Sequence, residues 1–133
     1  MTLTEIKEYK YMATIPFTKV KKGMIVLEQD TPTNRDSNSI SYFCRIEDCY
    51  PSEEVLSGFN EGWTLDLTAL SPNGDKLFDW ETDYHFEHEE DASIEIYFKS
   101  KEDASRFGID PNTLEEANYD EIFIGDYEDA ELA

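Results

Sequence analysis

The residues with the clearest potential for chemistry lie in a short acidic stretch in the middle of the chain. Between Phe78 and Ala92 the sequence reads FDWETDYHFEHEEDA, in which carboxylates recur at odd positions and aromatic residues at even positions. Because side chains alternate between the two faces of a β-strand, this pattern predicts one aromatic face and one face with a row of negative charge. The carboxylates are Asp79, Glu81, Asp83, Glu87, Glu89 and Asp91.

A row of this kind favours binding to a basic surface over metal binding or catalysis. A straight strand spreads its carboxylates out, whereas a calcium ion needs several oxygens that converge on one point, so only weak calcium binding stays open. His85 and His88 are expected on opposite faces, which is wrong for chelating one metal, and His85 instead offsets charge within the row. Paired carboxylates also hydrolyse glycosides, but Trp63 and Trp80 are expected on the other face.

Known catalytic and nucleotide-binding motifs are absent from the sequence. It contains no G-x-x-x-x-G-K-[ST], no G-x-G-x-x-G, no G-x-S-x-G and no paired C-x-x-C. The sequence therefore predicts a protein that is not an enzyme, with no catalytic residues, no metal site and no cofactor.

Three strands are expected to position the acidic row, over residues 62–70, 76–88 and 93–99. Alternation of apolar and polar residues predicts them as an antiparallel meander, with the SPNG sequence at 71–74 as the first turn. This arrangement adds Asp66 and Glu95 to the acidic face from the neighbouring strands. The predicted pairs are Leu65 with Trp80, Leu67 with Phe78, Asp66 with Asp79, Tyr84 with Phe98, Phe86 with Ile96, Glu87 with Glu95, and Asp83 with Lys99.

The rest of the chain predicts further strands and a few short helices. Apolar segments at 11–17, 23–29 and 39–47 favour strands, and helices are expected after Ser52, after Ser100 and near 110–118. We therefore predict a single α+β domain over 1–133, dominated by a curved antiparallel sheet with two or three short helices. A strand-like run at 122–124 precedes a mobile acidic tail that is expected from about residue 126.

Charge is distributed very unevenly along the 133 residues. The chain has 31 acidic and 11 basic residues and a net charge of −20, but residues 1–46 are slightly basic, with seven Lys or Arg against five Asp or Glu. Residues 47–133 hold nearly all of the negative charge. Phosphate contacts need clustered Lys or Arg, so this balance argues against direct binding to DNA, RNA or an anionic membrane. A basic protein partner is expected instead.

The sequence predicts a soluble, cytoplasmic protein without a disulfide between its two cysteines. Residues 1–17 lack the basic-then-apolar pattern of a signal peptide, and no apolar run is long enough to span a membrane. Cys44 and Cys49 on one extended strand would have Cα atoms roughly 16 Å apart, which is beyond disulfide reach. We expect Cys44 to be a small buried hydrophobic residue.

In size, acidity and lack of catalytic motifs, the chain resembles the DNA-mimic inhibitors that phages and mobile elements encode against restriction, CRISPR or repair machinery. The resemblance implies that the acidic face occupies the basic groove of a nucleic-acid-binding protein. Two alternatives stay open: an immunity or antitoxin-like protein that caps a basic nuclease, with anchors such as Tyr119, Phe123 or Tyr127, and an acidic adaptor or phage structural component. The predicted partner-binding residues are Asp66, Asp79, Glu81, Asp83, Glu87, Glu89, Asp91 and Glu95.

Overall fold

The computed structural model describes residues 9–30, 40–71 and 74–117. Within these residues the chain forms seven strands, one α-helix and three single 3₁₀ turns. The strands are β1 (Tyr11–Pro16), β2 (Ile25–Asp30), β3 (Ile40–Pro51), β4 (Glu61–Leu70), β5 (Lys76–Phe86), β6 (Ser93–Phe98) and β7 (Glu115–Glu116). The helix α1 spans Lys101–Arg106, and the 3₁₀ turns are Phe17–Lys19, Glu89–Asp91 and Pro111–Thr113. A mostly antiparallel sheet with few helical turns agrees with the predicted fold class.

The strands of the described residues form one sheet in the order β5-β4-β3-β2-β6-β1-β7, with all observed pairings antiparallel. The three strands predicted from the middle of the chain are present at nearly the predicted positions. Their predicted meander is nevertheless only half right. β4 and β5 form a hairpin, but β6 lies between β2 and β1 and does not pair with β5.

The β4–β5 hairpin keeps the predicted parity but is shifted by two residues. Leu67 pairs with Trp80 and Ala69 with Phe78, where the sequence analysis placed Leu65 and Leu67. The connection is longer than a four-residue loop, since β4 ends at Leu70 and β5 begins at Lys76. The Ser71 N–H donates to the Asp75 oxygen and the Ser71 oxygen accepts from the Gly74 N–H, and the register shifts between Ala69 and Leu70. An even shift leaves every side chain on its predicted face.

The predicted pairing of β5 with β6 is wrong because β6 pairs with β1. Ile96 lies opposite Ala13 and Ile94 opposite Ile15, and all four side chains are buried. Burying an aliphatic side chain of this size contributes about 1.5–3 kcal/mol, so this pairing is well stabilised. The predicted pairs of Tyr84 with Phe98, Phe86 with Ile96, Glu87 with Glu95 and Asp83 with Lys99 are therefore absent. The Lys99 ammonium instead lies 5.2 Å from the ring centroid of Tyr9.

The main part of the core lies on one face of the sheet and is continuous with an aromatic cluster around Phe17. A smaller buried group that contains Phe43 and Tyr97 lies on the other face. Phe17 follows β1 and is 1% exposed. Its ring centroid lies 5.7 Å from that of Trp63 on β4, and 5.4 and 5.6 Å from those of Tyr84 and Phe86 on β5. These ring contacts connect the segment after β1 with β4 and β5, which are not neighbours of β1 in the sheet.

A β-bulge in β3 changes which side chains face the core. Ile46 pairs with Leu67 and Asp48 pairs with Asp66, so Glu47 is an extra residue between them. Without the bulge, Asp48 would share the core face with Ile46, because their positions differ by two. With it, Asp48 turns to the opposite face and Cys49 joins the core side.

The short helices agree only partly with the sequence analysis. The helix after Ser100 forms as predicted, and the Ser100 Oγ accepts a hydrogen bond from the backbone N–H of Asp103 at 3.2 Å. No helix forms after Ser52, where the chain makes turns, and the helix expected near 110–118 is reduced to the turn Pro111–Thr113. The predicted strand at 122–124 and the tail from about 126 lie outside the described residues. No described helix combines the length and apolar character needed to cross a bilayer.

Candidate functional site

Three carboxylates form a row across three neighbouring strands on the face opposite the core. Asp48 on β3 lies directly opposite Asp66 on β4, and Asp66 lies directly opposite Glu81 on β5. Neighbouring strands are about 4.7–4.9 Å apart, so this row runs perpendicular to the strands with like charges at each step. The predicted pair of Asp66 with Asp79 is therefore replaced by Asp66 with Glu81.

Two parallel rows flank this central row and add two more carboxylates. On one side Arg45, Thr68 and Asp79 lie opposite one another, and on the other side Tyr50, Thr64 and Asp83 do so. Successive same-face residues on a strand are about 6.6–6.8 Å apart. We call the resulting surface the acid face. It consists of Asp48, Asp66, Asp79, Glu81 and Asp83.

The members of the acid face differ in how their charge is satisfied. Asp79 forms an exposed ion pair with Lys76 at 2.9 Å, and Asp83 accepts a hydrogen bond from the Thr64 hydroxyl at 2.7 Å. In the described part of the chain, no Lys or Arg forms an ion pair with Asp48, Asp66 or Glu81. Asp48 accepts a hydrogen bond from the backbone N–H of Cys49 at 2.9 Å, so the central row has no cation partner among the described residues but is not wholly without donors.

The pKa of Tyr50 is affected by the negative charge of the acid face. Burial raises the pKa of its phenol, and the carboxylates of Asp66, Glu81, Asp48 and Asp83 raise that pKa further. Each of these groups disfavours the phenolate because like charges repel. Four acid-face carboxylates therefore act together on a single neighbouring side chain.

An ion pair on β3 marks the border between the acid face and the basic first third of the chain. Arg45 Nε lies 2.5 Å from Glu47 Oε1, which also accepts a hydrogen bond from the Thr68 hydroxyl at 3.2 Å. The hydrogen bond from Arg45 holds the pKa of Glu47 below its usual range. Glu47 is thus paired with a cation, whereas Asp48, among the described residues, accepts a hydrogen bond only from the backbone N–H of Cys49, at 2.9 Å.

Four of the eight predicted partner-binding residues lie apart from the acid face. Glu87 follows the end of β5, where its backbone oxygen accepts a hydrogen bond from the Asn60 side chain at 2.7 Å. Glu89 and Asp91 belong to a 3₁₀ turn, so the alternation of a strand no longer determines which face their side chains lie on. Glu95 lies on β6, separated from β5 by three strands, and receives a hydrogen bond from the Tyr97 hydroxyl at 3.4 Å. The predicted row is therefore shorter along β5 and broader across the sheet.

The sequence analysis missed two features of this surface. Asp48 was missed because the predicted strand ended at residue 47, although the acidic sequence ED at 47–48 was a signal. The second feature is an exposed apolar loop between β3 and β4, in which Leu56 is 61% exposed and Val55 and Phe59 are 39% exposed. The Phe59 ring contacts His85, which follows Asp83 on the same face of β5, so this loop adjoins the acid face.

Neither a metal site in the described part of the chain nor a similar protein of known function points to a role for this protein. Within the described residues, no three His, Cys, Asp or Glu side chains are grouped so that they could hold a metal ion. The chain matches no protein-family model, and neither curated proteins nor solved structures give a match. The geometry of the chain itself therefore carries the functional argument.

Proposed function

We propose that the protein is a non-enzymatic inhibitor that occupies the basic groove of a nucleic-acid-binding protein by imitating the charge of DNA. The partner is a cytoplasmic protein of the restriction, CRISPR or repair type, and the inhibitor belongs among the anti-defence proteins of phages and mobile elements. The observation that carries this proposal is the row of Asp48, Asp66 and Glu81, which faces away from the core without a described cation partner.

Carboxylates at a strand edge have a simpler explanation, which does not apply to Asp66 at the centre of the row. β5 ends the sheet among the described strands, and edge strands often bear charges that prevent pairing with other chains. Asp66 lies on β4 between Asp48 and Glu81, with a strand paired on each side, so it does not protect an edge. Asp48 lies on the part of β3 that continues beyond its pairing with β2, which ends at Arg45. Like charges opposite one another weaken a sheet, and a surface that tolerates this cost is better explained by binding than by solubility.

We infer that the sheet is curved, as the sequence analysis expects, with the acid face on its outer side. Phe17 follows β1 and contacts aromatic rings on β5, although β4, β3, β2 and β6 lie between these strands in the sheet order. Bending the sheet around the core brings these rings together. A convex acidic surface suits insertion into a concave basic groove.

The apolar loop favours a protein partner with a pocket beside the groove. Leu56 and Phe59 lie next to the acid face and offer the kind of anchors that dominate binding energy at protein interfaces. The same loop supports the second candidate function, an immunity-type protein that caps a basic nuclease. In that case Leu56→Ala and Phe59→Ala should weaken binding more than any change in the acid face. The anchors suggested by sequence, Tyr119, Phe123 and Tyr127, lie outside the described residues.

The proposal is tested by capturing the partner from a host lysate and challenging the complex with DNA. The tagged chain is expected to retain a basic nucleic-acid-binding protein at low salt and to release it as salt rises. Duplex DNA added in excess should displace the chain, because both ligands compete for one groove. A captured protein that binds DNA and the chain at the same time would contradict the proposal.

A charge-reversed variant tests the surface directly. Replacing Asp48, Asp66 and Glu81 by Lys should abolish capture, because attraction becomes repulsion across the same contact. The matched control reverses three exposed acids elsewhere, Glu102, Glu115 and Glu116, and changes the net charge equally. Equal loss of capture in both variants would indicate that overall charge, as in an acidic adaptor, is responsible.

A further inference from the structure

A cleft of about 570 Å³ lies apart from the acid face, at the end of β1. Its walls come from the end of β1 and the following turn, from β4, and from the 3₁₀ turn before β6. The backbone N–H of Phe17 donates to the oxygen of Ala92 at 3.2 Å and holds two of these walls together. Residues that line the cleft include Thr14, Phe17, Glu61, Trp63, Glu89 and Glu90.

The charged groups that line this cleft are all carboxylates. Glu89 and Glu90 are exposed at its rim, and Glu61 is partly buried within it. One oxygen of Glu61, Oε1, accepts a hydrogen bond from the Trp63 indole N–H at 2.8 Å. The other oxygen, Oε2, is buried and has no hydrogen-bond partner. A buried acceptor without a donor destabilises the fold, so the cleft contains a group that a donor would stabilise.

We propose that this cleft binds an arginine side chain of the partner protein, with the Glu61 carboxylate as its anchor. The inference rests on the proposed function for the source of that side chain, a basic protein. The terminal torsion of a glutamate side chain is broad, so the carboxyl group can turn an oxygen toward a ligand while retaining the bond from Trp63. Glu89 and Glu90 add attraction at the rim.

Arginine fits this site better than lysine for two reasons. Its planar guanidinium offers several donors to one carboxylate and is more weakly hydrated than an ammonium group, so moving it into a cleft costs less. The cleft is also lined by the partly buried Trp63, whose indole lies beside the Glu61 carboxylate. Guanidinium groups pack on aromatic rings more readily than ammonium groups.

The test titrates the full chain with three blocked amino acids and follows the indole N–H signal of Trp63 by NMR. The signal is assigned with Trp80→Phe, which removes the second tryptophan. N-acetylarginine methylamide should shift the Trp63 signal saturably. The lysine analogue should bind severalfold more weakly, and the citrulline analogue, a neutral isostere of arginine, should not bind. Equal binding of citrulline or lysine, or no saturable shift with arginine, would overturn the proposal.

Substitutions then test the role of Glu61. Glu61→Gln keeps an oxygen for the Trp63 N–H but loses the charge, so it should weaken arginine binding about tenfold or more. The matched control Glu54→Gln removes an exposed carboxylate outside the cleft and should leave binding unchanged. Unchanged binding in Glu61→Gln, with a native melting temperature, would refute the site. Failure here leaves the acid face untouched, because capture of the partner is tested with Asp48, Asp66 and Glu81.

Discussion

Asp66 on β4 lies directly opposite Glu81 on β5, on the sheet face that points away from the core. Asp48 continues the row on β3. Since like charges opposite one another destabilise a sheet, the row makes opposite predictions for stability and for binding. The two can be measured separately.

Neutralising the centre of the row should stabilise the fold. Asp66→Asn removes repulsion from both Asp48 and Glu81, and we expect the free energy of unfolding to rise by roughly 0.2–1 kcal/mol. Urea denaturation at low salt measures this gain, which should shrink as salt screens the charges. Asp79→Asn is the control, since it breaks the exposed pair with Lys76 and should give no gain. A loss of stability in Asp66→Asn would mean that Asp66 has a structural role.

Asp83 should behave differently because it accepts a hydrogen bond. The Thr64 hydroxyl donates to Asp83 at 2.7 Å, and Thr64 Oγ1 also lies 2.9 Å from the Ser52 hydroxyl oxygen. Asp83→Ala removes the acceptor from a buried hydroxyl, so it should cost about 0.5–1.5 kcal/mol of stability. Asp83→Asn keeps an acceptor oxygen and should cost less. Thermal melting of both variants tests this prediction. Equal melting temperatures for Asp83→Ala and Asp83→Asn would contradict it.

Glu28 should make the protein less stable as pH rises. Burial raises the pKa of this carboxyl from 4.5 to about 7. The folded state therefore keeps a proton that the unfolded state has released between pH 4.5 and 7, and the free energy of unfolding falls across this window. Glu28→Gln should remove this contribution and stabilise the protein at pH 8 by on the order of 2 kcal/mol.

The measurement is urea denaturation of the wild type and of Glu28→Gln from pH 4.5 to pH 8. The difference between the two proteins isolates Glu28 from the repulsion among the surface acids. It should be small at the acidic end and grow toward neutral pH. A difference that is constant over the whole range would show that Glu28 does not titrate in this window.

The two cysteines should react at different rates with a thiol reagent. Both are free, and Cys44 is fully buried, as the sequence analysis predicts. Burial raises the pKa of both thiols, that of Cys49 to about 11, with a smaller contribution from Asp48. Because the thiolate is the reactive form, iodoacetamide at pH 8 should modify Cys49 slowly and Cys44 only after unfolding. Mass spectrometry over time would detect a reversed order, which would contradict the burial of Cys44.

Local patterns in the sequence were sufficient to predict the strands and their faces. Alternation at 62–70 and 76–88 predicted Asp66, Glu81 and Asp83 on one side of the sheet, and the hairpin shift by two residues left this unchanged. The N-cap at Ser100 was also correct. These features depend on residues close together in the chain, where the period of two in a strand and a single capping hydrogen bond act directly.

Tertiary structure decided which strands became neighbours and which acids met. The alternation of apolar and polar residues in β6 is compatible with pairing to β5 or to β1. Burial of Ile94 and Ile96 against β1 selected the pairing of β6 with β1. The bulge at Glu47 then turned Asp48 onto the acid face. Alternation cannot locate such a bulge, because one extra residue reverses the face of every later side chain without changing composition. The sequence alone therefore determined a row of charge along β5, while packing of the whole sheet determined the row across β3, β4 and β5.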